Sequence, residues 1–168
     1  MSDEKNFQIY LDLDGLFADF EEGFKKISGY YPKEVAKGKL WGTIHRAEHF
    51  FYNLPMIKES KKLWQVVEPT DPIFLTGLPS SAQGKEDKIR WVHKHYGDQY
   101  DVIVVPKKEK RNYAKPNHIL IDDTHSNVNE WNADGGIGIF HEKDNFHRTI
   151  TELKNILKDQ FNWTSPKI

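Results

Sequence analysis

Two pairs of carboxylates are placed where they could do chemistry together. Asp12 and Asp14 flank Leu13 at the end of an apolar run that starts at Phe7, and Asp122-Asp123 closes a second apolar run that starts at His118. Carboxylates that close resist ionising together, so such a pair serves a metal, serves catalysis, or is a solvated strand end. Asp-x-Asp alone does not choose among these. Two further residue types narrow the choice. Thr76 ends another apolar run just before Gly77, and the basic stretch that follows the next run offers an ammonium, Lys110 or Lys115. Clustered carboxylates suit a hard cation such as Mg²⁺, which keeps waters for a phosphate to displace. A hydroxyl and an ammonium suit the remaining oxygens of that phosphate.

These residues can meet if the runs that carry them are parallel strands, because ligands of open parallel sheets bind outside the carboxyl ends of the strands. Phe7–Leu13, Pro72–Gly77, Asp101–Pro106, His118–Asp123 and Ile137–Phe140 read as five such strands. Ala18–Ser28, Gly84–Tyr96, Ser126–Asn132 and Asp144–Lys158 show helical spacing of apolar residues, and the tail from Asn162 to Ile168 is expected to fray. The alternation predicts an α/β fold, a Rossmann-like parallel sheet with helices on both faces. Between the first and second strands no further strand is legible. Helices are expected at Thr43–Phe51 and Ile57–Val67, with short turns at most over Tyr30–Gly42. Such a connection is long for a βα unit, so residues 18–68 are read as a small helical cap inserted after the first strand, and residues 1–17 and 69–168 as the core.

Composition removes several classes of function. With no cysteine, thiolate catalysis and zinc–thiolate sites are excluded. A formal net charge of −1 gives no global basic field, so tight binding of duplex nucleic acid is not expected. No apolar run approaches the ~20 residues of a membrane span, and Met1–Lys5 lacks the features of a secretory signal, so a cytoplasmic protein is expected. Aromatics reach 13%, enough to furnish a base-stacking pocket as well as a core. The histidines form no metal-ligand pattern.

Taken in order, Asp12-Leu13-Asp14-Gly15, Thr76, a lysine and Asp122-Asp123 resemble the four motifs of the haloacid dehalogenase-like phosphohydrolase superfamily. Asp12 to Phe20, Phe50-Phe51-Tyr52-Asn53-Leu54-Pro55, Lys88-Ile89-Arg90-Trp91-Val92 and His118 to Asp123 resemble, within it, the 5′(3′)-deoxyribonucleotidase branch and its phage and bacterial relatives. The resemblance implies that Asp12 is the nucleophile that takes the phosphoryl group and Asp14 the general acid and then base. It implies Mg²⁺ held by Asp12, by the backbone carbonyl of Asp14 and by Asp123, with Asp122 in support. Thr76 and the amide of Gly77 would hold phosphate oxygens, with Lys110 favoured over Lys115 as the phosphate lysine. Phe20 and Trp41 would face base and sugar, although Trp41 is equally well read as cap core.

The expected activity is thus a Mg²⁺-dependent phosphomonoesterase acting on a small phosphomonoester, a (deoxy)nucleoside monophosphate. Other readings stay open: a phosphatase of polynucleotide ends, a phosphatase of another small ester, or a non-enzymatic module that accepts a phosphate. A homodimer is compatible with all of them.

Overall fold

The structure, a computed structural model, describes residues 5–164; residues 1–4 and the last part of the expected frayed tail, 165–168, lie outside the described residues. Five strands form one parallel sheet in the order β3-β2-β1-β4-β5: β1 (Gln8–Leu11), β2 (Ile73–Gly77), β3 (Val102–Val105), β4 (His118–Asp122) and β5 (Ile137–Phe140). Each lies within the run expected to form it. β1 is shorter than expected, ending at Leu11, although the Asp12 N–H still donates to the Ile121 carbonyl at 3.0 Å. The chain moves outward from β1 through β2 to β3, then crosses to β4 on the other side of β1. The order therefore reverses at β1, and a crevice opens there at the carboxyl ends of the strands.

The two faces of the sheet are covered unequally. Ile9, Leu11, Phe74, Ile119, Ile121 and Ile139 belong to a large core that also takes Leu63, Val67, Trp91, Leu153 and Leu157 from helices α3 (Ser60–Val67), α4 (Ala82–His95) and α6 (Phe146–Phe161). The alternate residues Tyr10, Leu75 and Leu120 face a smaller core, closed by Trp131 of α5 (His125–Ala133) and by Tyr113 and Ala114 at the end of a 3₁₀ segment, Lys107–Tyr113. The period-two alternation of the strands sends neighbouring residues to opposite cores.

The connection after β1 holds α1 (Phe20–Ser28) and α2 (Lys37–Arg46). Asp19 caps α1 by accepting the Glu22 N–H, and Gly29 ends it in the left-handed region. α2 differs from expectation. It starts at Lys37 and runs through Gly38 and Gly42, and the helix expected over Thr43–Phe51 breaks into turns after Arg46, where His49 takes a φ of 53°. Leu40 and Ile44 are buried against the main core, so packing outweighs the low propensity of the two glycines. The chain leaves the sheet at Ala18 and returns at Met56, where the two residues form an antiparallel bridge. Asp19 donates to the Pro55 carbonyl at 2.7 Å and Ile57 to that of Phe17 at 2.8 Å, so both crossings are tied together. Helix α3, counted above with the inserted segment, packs on α6, and its Trp64 ring stacks with Phe74 of β2. Among the described residues no helix is long and apolar enough to cross a membrane.

Candidate active site

Asp12 follows β1, Asp122 ends β4 and Asp123 follows it, and oxygens of all three lie within 4.8 Å of one another. Lys110, from the 3₁₀ segment after β3, enters this cluster. Its Nζ donates to Asp12 Oδ1 at 2.9 Å and to Asp122 Oδ2 at 2.8 Å, and it is 2% exposed. Asp122 accepts two more donors, Thr124 N–H on Oδ1 at 2.9 Å and Asn127 Nδ2 on Oδ2 at 3.1 Å. Both of its oxygens are thus committed to protein donors. Asp123 rests against Gly15: a Cβ on that glycine would stand 2.0 Å from Asp123 Oδ2, and Gly15 has a φ of 83°. Glycine is needed there for conformation and for space alike.

A second lysine was not assigned a role from the sequence. Lys88 of α4 is 5% exposed, and its Nζ lies 2.8 Å from Asp14 Oδ2, 3.1 Å from Thr76 Oγ1 and 2.8 Å from the Gly77 carbonyl oxygen. Its ammonium also sits over the Phe51 ring, 4.9 Å from the centroid. The available signal was a charged residue on the same helical stripe as Trp91 and Val92, both fully buried. A lysine placed there must find partners inside the molecule. Asp14 Oδ1 is buried and has no hydrogen-bond partner among the described residues.

These surroundings set the charge states. Burial works against a charge on Asp12, yet Lys110, a hydrogen bond with Asp123 and the Leu13 N–H together hold it below the ordinary carboxylate range. Asp123 is pushed up to about 9 by burial and by the charge of Asp12, with which it shares that bond. Asp122 is raised to about 6, first by burial and then by Asp12. Lys110 is raised because Asp12 and Asp122 outweigh its own burial. Asp12, Asp14, Asp122 and Asp123 stand against two ammoniums, Lys88 and Lys110. Four carboxyl groups against two ammoniums leave the site short of positive charge, which is the direction in which Asp123 is raised. A divalent cation fits this donor set: hard oxygens, more carboxyl groups than ammoniums, and oxygens of Asp12 and Asp123 close together, with both oxygens of Asp122 taken by protein donors.

Above the cluster lies a cleft of about 1000 Å³, lined by Asp12, Asp14, Thr76, Gly77, Lys88, Lys110 and Asp123 at its floor and by Phe20 and Trp41 at its wall. The ring centroids of Phe20 and Trp41 are 6.2 Å apart, and Trp41 is 37% exposed. Thr76, at the end of β2, is 1% exposed. Lys115 is not among the residues lining the cleft. It is exposed and precedes β4, its carbonyl accepting the His118 N–H at 2.9 Å, so it sits at the amino edge of the sheet. The structure therefore brings nine of the ten site residues singled out by sequence into direct contact or around one cleft: Asp12, Asp14, Asp122, Asp123, Thr76, Gly77, Lys110, Phe20 and Trp41; Lys88 joins them and Lys115 lies apart.

No family model matches the chain, and no curated protein sequence matches it. Solved structures do match. A haloacid dehalogenase-like family hydrolase from Xanthomonas campestris superposes with a TM-score of 0.55 at 15% identity, over 86% of this chain and 85% of that one. A dehalogenase gives 0.54 at 9% identity, over 86% and 88%. A hydrolase from Streptococcus pneumoniae TIGR4 gives 0.50 at 10% identity, over 88% and 99%. At these identities the likeness is one of fold: the chain has the α/β fold of the haloacid dehalogenase-like hydrolases.

Proposed function

We propose that the protein is a Mg²⁺-dependent phosphomonoesterase of the haloacid dehalogenase-like superfamily, acting on nucleoside monophosphates. The observation that carries the reading is the convergence of Asp12, Asp122 and Asp123 within 4.8 Å, with Asp14 and Thr76 on the same floor. The fold shared with hydrolases of that superfamily supports it.

Asp12 is the nucleophile. Kept ionised by Lys110, its free oxygen attacks phosphorus and forms an aspartyl-phosphate while the ester oxygen leaves. Asp14 gives that oxygen a proton and later takes one from the water that splits the aspartyl-phosphate. Lys88 holds Asp14 through Oδ2 and so fixes its carboxyl group at the floor of the cleft. Thr76 Oγ1 and the Gly77 N–H receive phosphate oxygens. Asp12, Asp123 and the Asp14 carbonyl would hold Mg²⁺, which would supply electrostatic stabilisation of the phosphoryl oxygens. Asp122, its oxygens occupied by Lys110, Asn127 and Thr124, positions the lysine rather than the metal. The aromatic wall formed by Phe20 and Trp41 supports a nucleoside as leaving group.

Released phosphate from a panel of nucleoside monophosphates and p-nitrophenyl phosphate, with and without Mg²⁺, tests the reading. Asp12→Asn should lower turnover by at least about 10³-fold, as loss of a nucleophile does, with an unchanged circular dichroism spectrum. A fully active Asp12→Asn variant would refute the assignment.

A further inference from the structure

A second cavity, of about 390 Å³, adjoins the cleft, and the two share Trp41, His45, Phe51, Pro79 and Ser80. Its size falls within the ~300–1,000 Å³ of small-molecule sites. The catalytic scheme above uses none of its polar lining. The central polar group is Asp87 of α4, 1% exposed. A carboxylate buried that deeply is costly unless its charge is met. Gln83 Nε2 lies 2.9 Å and His49 Nδ1 3.0 Å from it, and both contacts fall on the same oxygen, Oδ1. Oδ2 has no hydrogen-bond partner among the described residues. Phe50 and Phe51 add aromatic surface to the cavity, and Glu48 adds a further negative charge.

Position ties this cavity to the chemistry. Asp87 precedes Lys88, whose ammonium reaches Asp14 and Thr76. Consecutive Cα atoms are ~3.8 Å apart, so one turn of α4 presents a carboxylate to the side cavity and an ammonium to the acidic floor. The shared lining of Trp41, His45, Phe51, Pro79 and Ser80 places the side cavity next to the cleft above that floor.

We propose that this cavity receives the base of the nucleotide, with Asp87 Oδ2 accepting an N–H from an exocyclic ring amine. The ligand class is the amino-substituted bases, cytosine, adenine and guanine. Uracil and thymine present a ring N–H between two carbonyl oxygens, which sets acceptors against the carboxylate. The proposal rests on the phosphomonoesterase reading and adds to it the feature of the base that is selected.

The test compares kcat/KM for dCMP, dAMP, dGMP, dUMP, dTMP and p-nitrophenyl phosphate, in the wild type and in Asp87→Asn. The wild type should favour dCMP over dUMP by about tenfold or more, since a site built around a hydrogen bond rejects the analogue that cannot make it. Asp87→Asn should lose at least about tenfold more on dCMP than on p-nitrophenyl phosphate, and its dCMP to dUMP ratio should fall towards one. Equal wild-type rates on dCMP and dUMP overturn the proposal, and that measurement needs no variant. An equal loss on every substrate, p-nitrophenyl phosphate included, overturns it too, since Asp87 would then only hold the fold. Hydrolysis of p-nitrophenyl phosphate without hydrolysis of any nucleotide leaves a phosphatase and ends the base pocket. If no phosphomonoester is turned over, calorimetry with deoxycytidine and deoxyuridine decides for the pocket alone. Binding of deoxycytidine in preference upholds it, and binding of neither overturns it.

Discussion

The two buried lysines make an instructive pair. Lys110 lies between Asp12 and Asp122, with Asp123 close by, so one ammonium faces three carboxylates. Lys88 faces one carboxylate, Asp14, and completes its shell with a neutral hydroxyl and a carbonyl. Positive charge is therefore short on the β4 side of the crevice and balanced on the β2 side. The difference assigns the two sides. Under the proposed function the β4 side would take the cation, and the β2 side would hold Asp14 in place beside Thr76.

Removing each lysine probes that asymmetry. Lys110→Ala strips two buried carboxylates of their partner, a loss that costs about 3–5 kcal/mol. For a chain of this size that lowers Tm by roughly 10 °C. Thermal melts without metal should show it, with a smaller deficit at pH 5, where the orphaned acids take up protons. Lys88→Ala should cost less in stability, about 1–3 kcal/mol, because the Asp14 side chain is 24% exposed and water can reach it. Its main effect should fall on kcat, roughly 10²-fold, through a misplaced Asp14. Equal destabilisation by the two substitutions would break the comparison.

The smallest effect sharpens it from the other side. Asp123 has a folded value of about 9, above its ordinary value of about 3.9. A carboxyl raised on folding makes its full contribution below the unfolded value and loses it as pH climbs towards the folded one. Without metal, the wild type should therefore lose stability between about pH 4 and pH 9 relative to Asp123→Asn. The variant should melt a few degrees higher at pH 8, and added Mg²⁺ should reverse the order by stabilising the wild type alone. A wild-type advantage without metal would remove the argument that the β4 side lacks positive charge.

Much of this was legible in the sequence because strands and their polar ends are local signals. Each strand carries its apolar run, and Asp12, Thr76 and Asp122 sit where those runs stop. Lys110 and Lys115 could not be separated by composition. Their distance from the start of β4 does so, since the sheet has two edges and only one is the carboxyl edge. Helix α2 was missed because Gly38 and Gly42 argue against a helix locally, while burial of Leu40 and Ile44 argues for one only once the core exists. Lys88 and Asp87 were missed for a related reason. Charged side chains on an amphipathic helix are ordinarily solvated, and these two face inward because other segments supply their partners: Asp14 and Thr76 for one, His49 for the other.

The bridge between Ala18 and Met56 has a consequence for how such a protein can diversify. To the sheet, everything from residue 19 to residue 55 is a closed loop whose ends already touch. Its length and side chains can be rewritten, provided apolar contacts such as those of Leu40 and Ile44 are kept, without moving the strands that hold the carboxylates. The aromatic wall of the cleft, Phe20 and Trp41, thus sits on a stretch of chain separable from the strands that carry the carboxylates, and a graft between positions 18 and 56 would exchange that wall while leaving Asp87 and the acidic floor in place.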